Sequence, residues 1–193
     1  MKVNNIIIGE QYESTENYEK IKKLAEKNKI NVTIVKSGER VNIEKDIYID
    51  FLWPNSNKVI TQNIVNNNSL VFRMKYKKFS MMFTGDIEEI AEKEICKKYK
   101  NLQSTILKIA HHGSKTSSTE KFLDLVNPNY ALIGVGKNNK FGHPNKNIIE
   151  RLRKRSIDFY RTDQNGEIKI ETNGKTCIKI TTFDNNIKSG RLW

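Results

Sequence analysis

Histidine occurs three times in the 193-residue chain, and all three fall within one stretch, "LKIAHHGSKTSSTEKFLDLVNPNYALIGVGKNNKFGHPN", residues 107–145. His111 and His112 stand side by side, and His143 sits in a Gly-His-Pro sequence. Upstream, "MMFTGDIEE" ends an apolar run on Asp86. Imidazole and carboxylate are ligands that suit zinc, iron or manganese, and a carboxylate can bridge two ions. Gly85 and Gly113 let the backbone turn sharply beside such a site, and Pro144 restricts the chain just after His143. Each residue also has a plainer use. Asp86 can cap a helix beginning at Ile87, one of two adjacent histidines can be a packed imidazole, and Gly-His-Pro is a common turn.

What turns scattered residues into a site is the order of elements between them. "SLVFRMKY" and "FSMMFTG" read as an antiparallel pair across Lys77 and Lys78. "IEEIAEKEICKKYKN" then reads as a helix, acidic in its first turn and basic in its last, as the helix dipole prefers. Strand "STILKIA", loop "HHGSKTSS", helix "TEKFLDLV", strand "YALIGVG", loop "KNNKFGHP" and helix "NKNIIERLRKR" follow. Strands joined through helices are normally parallel, so their C-terminal ends emerge on one edge. Asp86, His111 with His112, and His143 each follow a successive strand, which delivers all four to the edge where open α/β sheets place ligands.

The flanks are less informative. "NNIIIG", the amphipathic helix "STENYEKIKKLAEKNK" with Ser14 or Thr15 as its cap, "INVTIVKSG" and "IYIDFLWP" read as strand, helix, strand, strand. The asparagine-rich "NSNKVITQNIVNNN" reads as a loop. "IDFYRT", a turn at "DQNG", "EIKIET", Asn173-Gly174 and "TCIKITTF" close the chain with a hairpin. Residues 1–183 are expected to form one domain, with 184–193 a loose tail.

Around the histidines, Ser114, Thr116, Ser117 and Ser118 can donate to phosphate oxygens, and the helix starting near Thr119 can offer free N–H groups to an anion. A Ser/Thr cluster at that place also reads as an N-cap. Lys137, Lys140, Lys146, Arg151, Arg153, Lys154 and Arg155 either track a nucleic-acid backbone or form a solvated face. Asp163 in "RTDQNGEI" reads as a turn residue.

Composition narrows the partners. Lysine and arginine total 34 against 22 acidic residues, a net charge of +12, which favours nucleic acid, phosphorylated compounds or an acidic surface. The two cysteines, Cys96 and Cys177, lie far apart without metal-ligand spacing, which argues against a disulfide framework or a zinc knuckle. No run of apolar residues is long enough to span a bilayer, and "MKVNNIIIGEQY" lacks the features of a signal peptide, so the chain is expected to be soluble.

Four blocks, "NNNSLVFRMKYKKFSMMFTGDIEE", "LKIAHHGSKTSS", "NPNYALIGVGKNNKFGHPN" and "RTDQNGEI", resemble in order and spacing the metallo-β-lactamase-fold domain of ComEC-type DNA-internalisation proteins and their free-standing hydrolase relatives. The resemblance implies an α/β (α+β) fold, a metallo-β-lactamase-like αββα sandwich truncated at its N-terminus. It implies Asp86, His143 and one of the His111–His112 pair as metal ligands; His112 is taken as that ligand and His111 as a catalytic or buttressing group, with the reverse assignment left open. It also implies two divalent ions, zinc or manganese, in the complete site. Ser114, Ser117, Ser118, Lys137 and Lys140 become candidate substrate contacts.

The departure from the family is an H-x-H-x-D-H motif that supplies most of its metal ligands; no histidine precedes residue 111 here. With that motif supplied from upstream, the resemblance implies a phosphodiester hydrolase acting on DNA in competence. Without it, the chain is a catalytically incomplete basic module that binds nucleic acid or a partner. A hydrolase of a small phosphorylated or ester substrate is the third reading. A free-standing relative would be cytoplasmic, and a segment of a ComEC-type protein, often fused to membrane spans, would lie on the cell-surface side of the membrane.

Overall fold

In a computed structural model, residues 2–175 and 178–183 are described. Cys177 and the expected tail at 184–193 lie outside them. Among the described residues there are eleven strands and six α-helices. The N-terminal part holds β1 (Asn5–Gly9), α1 (Glu16–Lys27), β2 (Asn31–Val35), β3 (Arg40–Glu44), β4 (Ile47–Trp53) and the short α2 (Ile64–Asn67). The middle holds β5 (Val71–Tyr76), β6 (Phe79–Phe83), α3 (Glu89–Lys98), β7 (Ile106–Lys108), α4 (Glu120–Val126) and β8 (Tyr130–Ile133). Then come α5 (Lys146–Lys154), β9 (Asp158–Arg161), α6 (Thr162–Asn165), β10 (Glu167–Thr172) and β11 (Ile178–Phe183).

β3 to β9 form one seven-stranded sheet in chain order. β3-β4-β5-β6 are antiparallel, and β6-β7-β8-β9 are parallel, as the helical crossovers require. β1 and β2 pair separately in parallel, and β10 and β11 form an antiparallel hairpin.

Both faces of the central sheet are covered, which is why β6 and β7 read as nearly continuous apolar runs. Met82 and Leu107 point to a core shared with Ile95 of α3, Leu123 of α4 and Ile148 of α5. Phe79, Met81 and Ile106 point the other way, against Ile168, Ile170 and Ile178 of the hairpin. The layers are therefore helix, sheet and sheet. The hairpin's outer residues Glu167, Lys169 and Glu171 are exposed, and among the described residues no helix covers that face.

Two sequence expectations are corrected. β3 is not distinguished as a strand by sequence, because its Arg-Val-Asn-Ile-Glu pattern is mostly exposed and short of apolar residues. The asparagine-rich connector is not a plain loop. Asn67 and Asn68 are buried: Trp53 Nε1 donates to the Asn67 carbonyl at 2.7 Å, and Asn68 Nδ2 donates to the carbonyls of Ile60 and Ile64 at 2.8 and 2.7 Å. Asparagine, a poor helix former, serves here because its amide satisfies backbone groups that the irregular chain leaves unpaired.

One carboxylate ties the helical layer together. Glu92 of α3 is fully buried and accepts hydrogen bonds from the backbone N–H groups of Ser118 and Thr119, at the start of α4. Burial pushes its pKa up, and those N–H bonds and the Arg151 charge oppose the shift. The sequence shows Glu92 only as one glutamate of an acidic helix start. A carboxyl with a raised folded-state pKa stabilises the fold most when protonated, so its contribution falls as pH rises through that pKa. Replacing Glu92 by Ala leaves two buried donors unpaired and should cost about 2–4 kcal/mol. In urea unfolding, Glu92→Gln should gain on the wild type as pH rises above 4.5, the ordinary carboxyl value.

Candidate active site

The polar edge is built around one turn of 3-10 helix, Ala110–Gly113, directly after β7. His111 and His112 have φ of 47° and 55°, the left-handed region. Non-glycine residues held there cost about 1–3 kcal/mol each and persist only where the surroundings over-determine them. The surroundings do so here. The His111 N–H donates to the Gly85 carbonyl at 3.0 Å, the Ser114 N–H to the His111 carbonyl at 2.8 Å, and the Asn145 N–H to the Gly113 carbonyl at 2.8 Å. Gly113, at φ +83°, packs so closely on Pro144 that an added Cβ would lie 2.6 Å from the proline Cβ.

Consecutive left-handed residues aim the two imidazoles at different partners. His112 Nδ1 lies 2.6 Å from the Gly134 carbonyl, which can only accept, so Nδ1 carries a proton and, in the neutral ring, Nε2 is the nitrogen with the lone pair. That Nε2 faces Asp86 Oδ1 at 3.9 Å. His111 turns its buried Nδ1 toward Glu88 Oε1 at 3.8 Å, beyond hydrogen-bond range, and Nδ1 has no hydrogen-bond partner. Its ring meets that of His143 edge-on, 5.9 Å between centroids.

Asp86 does not cap the following helix; α3 begins at Glu89, and the Asp86 N–H instead donates to Ser69 Oγ at 3.2 Å. His143 is pinned by Asn139, whose Oδ1 accepts from the His143 N–H and whose Nδ2 donates to the His143 carbonyl, both at 2.8 Å. Burial, with the neighbouring His111 and His112, holds its pKa below the ordinary imidazole value, and Asp86 opposes them.

Four groups at this edge do not stand out in the sequence. Glu88 is fixed by Asn67 Nδ2 at 3.0 Å and Thr116 Oγ1 at 2.9 Å; as a first-turn acid it looks like an ordinary helix residue. Asn139 looks like one asparagine among many. Phe141 is 82% exposed and stacks on His143. Lys108 is largely buried, donates from Nζ to the Ile109 carbonyl at 2.8 Å, and has its pKa lowered by burial. Its signal is present in the sequence: a lysine on a strand otherwise covered on both faces.

The serines behave differently from expectation. Ser117 Oγ donates to the carbonyls of Ala110 and Ser114 at 3.0 Å, Ser114 Oγ pairs with Thr116 Oγ1 at 3.1 Å, and Ser118 Oγ is buried without a partner. All three serines are buried; Ser114 and Ser117 brace the loop through these bonds. At the start of α4, Glu92 accepts from the Ser118 and Thr119 N–H groups and the Thr119 hydroxyl accepts from the Phe122 N–H. Arg151 donates to the Ser117 and Ser118 carbonyls, and Arg155 pairs with Asp124 at 2.7 Å, so both tie α5 to neighbouring segments. Asp163 pairs with Arg161 at 2.6 Å. Lys137 and Lys140 stand exposed on the His143 loop.

The donor types suit a divalent ion, and His112 is held by a carbonyl on its far nitrogen, as metal-bound imidazoles usually are. The number of donors does not suit one. Among the described residues, no three His, Cys, Asp or Glu groups converge closely enough to hold an ion. Asp86, His112 and His143 share an edge without forming a complete coordination site.

Comparison with known proteins places this edge in context. No family model matches the chain. It is 34% identical over 168 residues to ComE operon protein 3 of Bacillus subtilis, and 36% identical over 122 residues to competence protein ComA of Neisseria gonorrhoeae. The chain is homologous to a segment of the ComEC-type competence proteins. These matches cover 87% and 63% of this chain but only 21% and 17% of the relatives, so the chain spans about a fifth of their length. A solved chain from Parabacteroides distasonis, described as a metal-dependent hydrolase, aligns with a TM-score of 0.49 and 14% identity over 82% of this chain and 64% of its own. At that score the likeness carries no weight beyond the layers already seen. The order of layers fits the mixed α/β class with a central mixed sheet expected from the sequence; among the described residues no second helical layer covers the hairpin.

Gly113→Ala should lower stability by about 1–3 kcal/mol, from backbone strain and the Pro144 overlap. Gly136→Ala, with open space around the added methyl, should not. By NMR, His143 should titrate below 6.5 in the wild type and move toward that value in Gly113→Ala, as the packing around it loosens.

Proposed function

We propose that the chain is the Asp86–His112–His143 half of a metal-dependent phosphodiester hydrolase working on DNA in competence. The carrying observation is the turn at His111 and His112, where backbone strain is held in place to set His112 Nε2 against Asp86. Support for the biological setting comes from the Neisseria gonorrhoeae relative, which is itself named a competence protein.

In this reading the chain's own residues do five things. Asp86 and His112 face the reacting edge, with Gly134 fixing the imidazole tautomer. His143, kept neutral by burial, offers a free lone pair beside them. His111 lies next to Glu88, and the pair can hold and pass a proton if the gap of 3.8 Å closes on substrate binding. Lys137 and Lys140 approach the substrate's phosphates. The remaining ligands for zinc or manganese would come from residues beyond this set; once bound, such ions supply charge stabilisation at phosphorus. Phe141 gives the substrate an aromatic face next to His143.

A second reading is favoured by the lack of a three-donor cluster among the described residues: a basic module that binds nucleic acid without turnover. The product of the gene encoding this chain, supplied with manganese or zinc, should cleave labelled DNA. Asp86→Ala and His112→Ala should each reduce the rate by on the order of a hundredfold or more while leaving circular dichroism unchanged. Undiminished cleavage in either variant would remove the proposal, and salt-sensitive DNA binding without cleavage in the wild type would establish the second reading.

A further inference from the structure

A cleft of about 480 Å³ lies at the opposite end of the sheet from the histidines, where β6 and β7 begin. Arg73 and Lys75 from β5, with Lys77 and Lys78 from the following turn, supply four cations to its lining. Amides and hydroxyls, Gln103 and Thr105 among them, complete it, and no carboxylate lines it. β6 runs from Phe79 beside the cleft to Phe83, roughly 13 Å of strand, before the turn that carries Asp86.

The fold builds this cleft with some care. Arg73 Nη1 reaches the carbonyls of Asn101 and Gln103 at 3.4 and 3.3 Å, which fixes the guanidinium across the floor, while its Nε is buried without a partner. Asp50, 3.7 Å behind Arg73, is already engaged by Arg40. Thr105 and Ser80 are locked to each other, each N–H donating to the other's hydroxyl at 3.2 Å. Lys77 rests against Tyr76, and Lys75 lies 5.8 Å from the Tyr48 ring. Lys75 and Lys78 have no ion-pair partner among the described residues, so two cations remain uncompensated beside the fixed arginine.

We infer that this cleft is a second binding site, for the phosphate backbone of a nucleic-acid strand. Arg73 and Lys75 are two residues apart on one strand and so about 6.8 Å apart, a spacing suited to successive phosphates of an extended strand. The side-chain amides add neutral donors for phosphate and sugar oxygens, contacts that position a strand without reading its sequence. A concave, wholly polar lining fits a strand that enters it better than a flat lipid surface. The inference deepens the proposed function by giving its substrate class a contact remote from the reacting edge, and it concerns binding alone.

The test is fluorescence anisotropy of a labelled oligothymidylate with the full chain across a salt titration. Lys75→Glu/Lys78→Glu should weaken binding at least tenfold at low salt, and the log–log salt slope should fall by about 1.4, about 0.7 for each phosphate of a single strand that is no longer neutralised. Lys23→Glu/Lys27→Glu on α1, with the same change in net charge, should leave the slope intact. Cleavage is read in Asp86→Ala and binding in the cleft variants, so loss of catalysis and loss of the cleft are read separately. Lys75→Gln/Lys78→Gln gives the same reading if the glutamates disturb folding. The inference is overturned if the wild type does not bind the oligonucleotide, if both cleft variants bind it unchanged, or if the α1 variant weakens it equally. It is also overturned if the cleft variants lose binding only to phosphatidylserine vesicles, which would make the partner a membrane.

Discussion

The constraint on which the candidate site depends is the left-handed backbone at His111 and His112. β7 ends in the core, with Ile109 and Ala110 buried, and the chain must leave that core and present polar groups within two residues. Two left-handed residues achieve the reversal and send the successive imidazoles to different neighbours. The strain is offset by hydrogen bonds to the preceding and following loops, through the Gly85 and Gly113 carbonyls, and by the close packing of Gly113 on Pro144. The loops carrying Asp86 and His143 are thereby held through the same turn that carries His111 and His112. A change at Gly113 would act on His143 through Pro144, without touching an imidazole.

Charge is organised on two scales. Near the site, individual groups are tightly placed: Glu92 holds the start of α4, Arg151 bonds the carbonyls just before it, and Glu88 is fixed between Asn67 and Thr116. These groups are spent on structure or on posture. The net charge of +12 is carried elsewhere, by exposed lysines. A basic composition therefore says little about which basic residues meet a ligand; Arg151 and Arg155, among the most suggestive in sequence, are internal braces, whereas the lysines of the β5–β6 turn are uncompensated.

The parallel half of the sheet is legible in the sequence because each strand is apolar on both faces and is separated from the next by a helix of clear period. That order alone carries Asp86, His111, His112 and His143 to one edge. What sequence does not show is the use made of neutral polar residues. Asn67, Asn68, Asn139 and Ser117 look like loop composition until their backbone partners are known, since hydrogen bonds between distant segments leave no local pattern. Ser114 and Ser117 are ambiguous for the same reason: a Ser-rich loop after a strand serves equally for anion binding and for bracing, and only their partners show the bracing. Glu88 and Glu92 are hidden by a helix-dipole pattern that explains acidic residues at a helix start without calling on tertiary contacts.

The central claim is that these residues form one half of a metal site, with geometry set and ligands too few. Metal content of the purified 193-residue chain after exposure to zinc or manganese and exhaustive dialysis tests it most directly. The account predicts well under one ion per chain, unchanged by Asp86→Ala. Two ions per chain that survive dialysis and are lost in Asp86→Ala and His112→Ala would contradict it.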